Sequence, residues 1–166
     1  MHRLDYQSPL GILSLVREEE NLIGAWFEGQ AHYFQKIDPN NCTITTKDDP
    51  LFQPFTTFLD AYFAGQNPSI TEIYDSLTPN GTVYQQRIWR LLLQIPYGQT
   101  LAYMDIANQY TQLQKSTSAR AVGGAVGKNP LSIFIPCHRV IAKNGQLTGY
   151  AGGLDRKTTL LRLEQA

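Results

Sequence analysis

Apolar positions follow two regimes along the 166 residues. Leu10-Gly11-Ile12-Leu13-Ser14-Leu15-Val16 and Leu22-Ile23-Gly24-Ala25-Trp26-Phe27 are short aliphatic and aromatic runs, parted by Glu18-Glu19-Glu20-Asn21. That pattern predicts strands with an exposed turn inside residues 1–28. The polar, Pro- and Asn-containing stretch from Lys36 to Pro50 reads as loop. Phe52, Phe55, Leu59 and Phe63 then recur close to helical spacing between Leu51 and Phe63, and Gly65 suits the end of that helix. Residues 66–81, with Pro68, Pro79 and Asn80-Gly81, read as a connection.

Helical periodicity dominates thereafter. Thr82 is placed to cap a helix through Val83, Ile88, Leu91, Leu92 and Ile95, halted by Pro96-Tyr97-Gly98. A short capped helix is expected over Thr100–Ala107, and a polar turn near Gln112 to Thr117 leads into Ser118-Ala119-Arg120-Ala121-Val122-Gly123-Gly124-Ala125-Val126. Two short helices joined by a turn, the second basic, form a helix-turn-helix candidate. The second consists almost entirely of small residues around one long side chain, Arg120. Small residues suit either close helix packing or a DNA minor groove probed by that arginine. Leu131-Ser132-Ile133-Phe134-Ile135 reads as an apolar strand that breaks at Pro136-Cys137. The expected fold is α+β. Residues 1–80 form an N-terminal subdomain with a small antiparallel sheet and a helix. Residues 81–166 form a mostly helical C-terminal subdomain with the helix-turn-helix.

Net charge is zero, which alone argues against a nucleic-acid partner, but its distribution changes the picture. Between Met1 and Asp75 eleven acidic residues outnumber Arg3, Arg17, Lys36 and Lys47. Between Ile106 and Leu154 there is no Asp or Glu, only Lys115, Arg120, Lys128, Arg139 and Lys143. Such asymmetry favours a polyanion, although scattered solvated charges fit equally well. No run approaches the ~20 apolar residues of a membrane span, and Met1-His2-Arg3-Leu4-Asp5 lacks the apolar core of a signal peptide. With only Cys42 and Cys137, both thiols are expected to be free in a reducing cytoplasm. Two distant cysteines and the scattered His2, His32 and His138 offer no metal-ligand spacing, so no metal is expected.

The chemical centre is Ile135-Pro136-Cys137-His138-Arg139-Val140. A thiol at a fixed break in the chain can face a cavity, and His138 and Arg139 supply basic or cationic neighbours that favour thiolate. Most lone cysteines are buried and inert, and Cys42, without a basic neighbour, fits that description. Adjacent side chains diverge on regular backbone, so a water relay between Cys137 and His138 is as plausible as direct contact.

This segment resembles the signature of the O6-alkylguanine-DNA alkyltransferases, the methylated-DNA–protein-cysteine methyltransferases, in their small bacterial single-chain form. The likeness extends through Gly81-Thr82 with Trp89, Ile95-Pro96-Tyr97-Gly98-Gln99, Tyr103, Arg120-Ala121-Val122-Gly123-Gly124-Ala125 and Asn129-Pro130. It continues through Gly149-Tyr150-Ala151-Gly152-Gly153 and Leu160-Leu161-Arg162-Leu163-Glu164. The first half matches loosely. The resemblance implies direct-reversal repair of duplex DNA carrying O6-alkylguanine, and of O4-alkylthymine, by a monomer acting once without a cofactor. It makes Cys137 the alkyl acceptor, His138 a base acting through water, Glu164 its orienting partner and Tyr103 a donor to the purine. Asn129 becomes the hinge tying the recognition helix to the active-site loop. Arg120 becomes the finger that replaces the flipped nucleotide, bound from the minor groove with Ala119, Ala121 and Gly123, while Lys128 contacts phosphate. Tyr150, Ala151 and Val140 are expected to line the pocket. Some relatives hold zinc in the first half, but too few cysteines occur here for it. Without the resemblance, Glu164 reads as an ordinary exposed helix-end residue.

Two other functions compete. A lesion binder that does not react is disfavoured by the presence of Cys137. A Cys–His hydrolase needs a thiol that turns over and an oxyanion site, whereas this cysteine stands beside a helix suited to DNA.

Overall fold

A computed structural model describes residues 1–166. The first half builds a four-stranded sheet from β1 (His2–Ser8), β2 (Gly11–Glu18), β3 (Asn21–Phe27) and β4 (Thr43–Ile44), in the order β3-β2-β1-β4. β1, β2 and β3 pair antiparallel, with Leu4 opposite Leu15 and Leu15 opposite Ala25. β4 adds a short parallel edge to β1 inside the stretch expected to be loop. It escapes sequence detection because Thr43 and Ile44 are exposed and show no alternation. α1 (Gln53–Phe63) buries Phe55, Leu59 and Tyr62, and Gly65 follows it with φ +74°, the left-handed geometry that suits glycine at a helix end.

Four further helices follow: α2 (Val83–Leu92), α3 (Tyr103–Leu113), α4 (Ala119–Gly127) and α5 (Leu154–Gln165). Thr82 caps α2 as expected: its hydroxyl accepts from Gln85 N, while the Gln85 side chain accepts from Thr82 N. α2 ends earlier than the apolar spacing implies, and Ile95 closes a tight turn by donating to the Leu92 carbonyl. Thr100 does not start the next helix. Leu101 and Ala102 instead form β5, pairing with β6 (Val140–Ile141), and Asp105 accepts from Ala102 N at the start of α3. Ser118 caps α4 through Ala121 N. Thus α3, a polar turn and α4 form the expected helix-turn-helix pair.

The segment Leu131–Ile135 is not a strand. Only Leu131 bridges a strand residue, Ala25; Ile135 N turns back to the Leu131 carbonyl, and Ile133 adopts φ +74°. A continuous apolar run signals burial, but it does not distinguish a strand from a buried turn whose backbone is satisfied otherwise. Here the Asn129 side chain accepts from Leu131 N and donates to the Ile135 carbonyl. β3 brackets the same turn, since Ala25 N donates to the Pro130 carbonyl and Ser132 N to the Ala25 carbonyl. One hydrophobic core joins Leu13, Leu15 and Phe55 of the first half to Trp89, Val122, Ile135 and Leu160 of the second. The cysteine motif therefore rests on both.

Candidate active site

Pro136 ends the buried turn, and Cys137-His138-Arg139 makes a single 3-10 turn before β6. Cys137 is 4% exposed and His138 wholly buried. Burial pushes the Cys137 thiol up; the Asn129 amide, the Lys157 ammonium and the Cys137 and His138 backbone amides oppose that rise. The Asn129 Nδ2 group donates to Cys137 Sγ at 3.1 Å and to the Ile135 carbonyl at 2.9 Å. Because Asn129 follows the last turn of α4, one amide couples that helix to the sulfur.

The expected role of Arg139 as a cationic neighbour of the thiol is not met. Its guanidinium spans Glu164, with Nε 2.9 Å from Oε2 and Nη2 3.0 Å from Oε1, and Nη1 donates to the Ile95 carbonyl. Consecutive side chains on the turn diverge, so Arg139 serves the carboxylate. The cation that bears on Cys137 is Lys157, absent from the sequence-based site. Its Nζ is buried and donates to the carbonyls of Val140 at 2.6 Å and Thr148 at 3.2 Å. Burial pulls the Lys157 ammonium down and the Cys137 charge partly restores it.

Glu164 is buried rather than exposed. α5 turns Lys157, Leu160 and Glu164 inward, a spacing that places all three on one helix face. Glu164 Oε1 lies 2.7 Å from His138 Nε2 and accepts from the Tyr62 hydroxyl at 2.8 Å, while Gly98 N donates to Oε2. Burial opposes the carboxylate charge, but hydrogen bonds from His138 and Arg139 prevail and hold Glu164 at about 2. An ionised carboxylate only accepts, so Nε2 carries the hydrogen of a neutral His138. Burial, above the opposing pull of Glu164, keeps the imidazole below its ordinary value. The other nitrogen, Nδ1, is buried without a protein partner. The result is a base whose tautomer is fixed, one residue from the sulfur but not hydrogen-bonded to it.

Tyr103 and Tyr150 stand close enough to Cys137 to feel its charge. The Tyr103 hydroxyl shares its hydrogen between the Thr148 and Gly149 carbonyls, at 3.2 and 3.4 Å. Tyr150 folds inward over Gly152, where a Cβ would stand 2.7 Å from the ring, and its hydroxyl is buried near Ser132. Burial and then the Cys137 charge raise both phenols. Of the pocket residues expected from the sequence, Val140 is fully buried and Ala151 half-buried, its carbonyl accepting from Ala31 N. Clefts of about 400 and 280 Å³ lie beside the 74–80 connection and behind Pro136, and neither is lined by Cys137.

α4 buries Val122, Ala125 and Val126 and turns Arg120, Ala121 and Gly124 outward, with Lys128 exposed just beyond it. Ala119 and Gly123 are half-buried, and a Cβ on Gly123 would touch the Tyr103 ring at 3.8 Å. The outward strip is therefore nearly bare backbone with Arg120 at one end and Lys128 at the other. Trp89 Nε1 donates to the Ala125 carbonyl from the buried side, fixing the helix. No group of three or more His, Cys, Asp or Glu side chains is placed to hold a metal, and no helix is long and apolar enough to cross a membrane.

Comparison with known proteins gives a consistent picture. Residues 1–74 match the family model described as 6-O-methylguanine DNA methyltransferase, ribonuclease-like domain, and residues 83–166 its DNA binding domain. The methylated-DNA–protein-cysteine methyltransferase of Mycobacterium tuberculosis is 41% identical over 166 residues, covering 100% of this chain and 93% of that protein. Its counterpart in Methanosarcina acetivorans is 39% identical over 165 residues, covering 99% and 98%. The crystal structure of Mycobacterium tuberculosis OGT in complex with DNA superposes with a TM-score of 0.83 at 37% identity, covering 99% of this chain and 93% of that one.

Proposed function

The chain belongs to the 6-O-methylguanine DNA methyltransferase family, and from that membership we propose that Cys137 takes the alkyl group from O6-alkylguanine in duplex DNA. The activity is that of a methylated-DNA–protein-cysteine methyltransferase, a DNA-binding enzyme of direct-reversal repair. Its substrate places its work where the chromosome is, in the cytoplasm.

The observation that carries the chemical assignment is the arrangement around His138. Nε2 is committed to Glu164 at 2.7 Å, while buried Nδ1 has no protein partner and is free to meet a water. Water links Cys137 Sγ to Nδ1, and the thiol proton leaves along it as sulfur attacks the alkyl carbon in line. The sulfur–carbon bond forms as the carbon–O6 bond breaks, and the released electron pair stays on the purine. Tyr103 answers that charge with its hydroxyl hydrogen and is reprotonated from the relay. The thiol proton ends, in sum, on guanine. A stable thioether remains on Cys137, so each molecule acts once.

For the base to arrive, its nucleotide must leave the stack, which costs a few kcal/mol. Arg120 fills the gap from the minor groove, and Ala119, Ala121, Gly123 and Gly124 allow the backbone of α4 to approach. Lys128 meets phosphate. Tyr103 must release the Thr148 and Gly149 carbonyls, and the segment carrying Tyr150 and Ala151 must open to form the base pocket. O4-alkylthymine enters the same way. The protein acts as a monomer, residues 81–166 carrying the chemistry and residues 1–80 supporting it.

Intact mass after incubation with a duplex containing O6-methylguanine tests the assignment. The expected result is a gain of one methyl group, mapped to Cys137 and abolished in Cys137→Ala. An unmodified protein that still binds the duplex would leave a lesion binder instead, and sustained turnover of an ester would indicate a hydrolase.

A further inference from the structure

Tyr62 projects from the same buried face of α1 as Phe55 and Leu59. Its ring is wedged edge-on against Phe63 and Tyr97, with centroids 5.4 and 6.0 Å away, and against His138 at 6.3 Å. A phenylalanine would fill that space equally well. The hydroxyl is what differs, and it donates to Glu164 Oε1 at 2.8 Å while its oxygen lies 3.3 Å from His138 Nε2. With its proton on the carboxylate, the oxygen presents a lone pair to the imidazole N–H, which Glu164 and Tyr62 then share. Glu164 does not need this donor for satisfaction, because Arg139 and Gly98 N already supply both its oxygens.

We propose that Tyr62 is a positioning residue for alkyl transfer, through which the N-terminal subdomain sets the proton affinity and ring orientation of His138. The proposal rests on His138 acting as the base described above. The charged and titratable groups facing His138 are Glu164 and Lys157 from α5, Arg139 from its own turn and Tyr62 from α1. Only Tyr62 touches both the carboxylate and the imidazole from the first half of the chain. Its hydrogen bond draws negative charge away from the oxygen that holds the His138 N–H. Removing it concentrates that charge on the imidazole, and because the carboxylate oxygen is the nearer acceptor, at 2.7 Å against 3.3 Å for the phenol oxygen, this outweighs the lone pair lost and His138 should bind a proton more tightly.

Tyr62→Phe keeps the ring and removes only the hydroxyl. Nitrogen-edited NMR of the His138 imidazole should show titration moved to higher pH, by about three- to tenfold in proton affinity. The acid limb of Cys137 benzylation by free O6-benzylguanine should move by the same amount. In a Glu164→Gln background the Tyr62→Phe shift should vanish, since the charge it modulates is gone. A lowered melting temperature with His138 titration unmoved would overturn the proposal and leave Tyr62 as packing. Should Tyr62→Phe not fold, 3-fluorotyrosine at position 62, a stronger donor, should move His138 to lower pH, and no movement would again overturn it. Methyl gain by the wild type without any His138 shift sinks the Tyr62 role alone. A His138 shift in a wild type that takes up no methyl group sinks the alkyl-transfer reading while the hold of Tyr62 on His138 stands.

Discussion

Replacing Glu164 by glutamine separates the electrostatic contribution of this carboxylate from its shape. The side chain is fully shielded and is held at about 2, against an ordinary value of 4.5. At about 1.36 kcal/mol per pH unit, ionisation of Glu164 contributes about 3 kcal/mol to folding at neutral pH. Because the folded-state value lies below the unfolded one, that contribution is complete above about pH 4.5 and is lost as pH falls through about 2. Glutamine mimics the protonated acid and leaves Arg139 without its anionic partner. Urea denaturation at pH 7 should therefore show the variant less stable by about 3 kcal/mol, and at pH 3 by no more than about half of that. A difference below about 1 kcal/mol at pH 7, or one just as wide at pH 3, would refute the reasoning. The same substitution removes the anion that orients His138, so methyl transfer from duplex DNA should slow by about 100-fold in protein still folded at pH 7.

Three more outcomes follow from the site. Lys157→Met deletes the buried cation near the sulfur, so the pH midpoint of Cys137 alkylation by iodoacetamide should rise by about one pH unit, lowering the thiolate fraction at neutral pH; an unmoved midpoint would remove Lys157 from the electrostatics of the thiol. Arg120→Ala should weaken repair of duplex DNA much more than reaction with free O6-benzylguanine, and equal losses on both substrates would contradict a role in holding the flipped state. Tyr103→Phe frees the Thr148 and Gly149 carbonyls, so Cys137 should react faster with a small disulfide reagent while alkyl transfer slows, and rates that fall together would contradict the closed-segment description.

The burial of Cys137 gives the resting protein a particular character. Its thiol is pushed above the ordinary range and is almost closed to solvent, so the sulfur is protonated until a base arrives. Proton removal and attack then belong to one event, which suits a protein whose nucleophile is spent once. The sequence-based view of the thiol as an activated anion flanked by His138 and Arg139 differs because Arg139 neutralises Glu164 instead.

Local physics was legible in the chain itself. Aliphatic and aromatic runs parted by an acidic turn located β2 and β3, Thr82 marked the start of α2, and small residues around Arg120 set α4 apart. The cysteine motif and its resemblance pointed to the reaction, because the chemistry depends on residue types at short spacing. What the tertiary structure decided was which distant groups share a charge. Tyr62 reaches Glu164 across 102 positions and His138 across 76, and Glu164 reaches His138 across 26. Lys157 offered a faint signal, standing on the buried face of α5 with Leu160 and Glu164, but periodicity alone reads a polar residue there as a boundary of the apolar stripe. The turn at Leu131–Ile135 was equally hidden, since its backbone is satisfied by the Asn129 side chain rather than by a neighbouring strand. Hydrophobic pattern and capping act over a few residues and can be read in order. Electrostatic partnership in a buried site depends on separation in space, which only the packing of α1, α5 and the cysteine turn against one another determines.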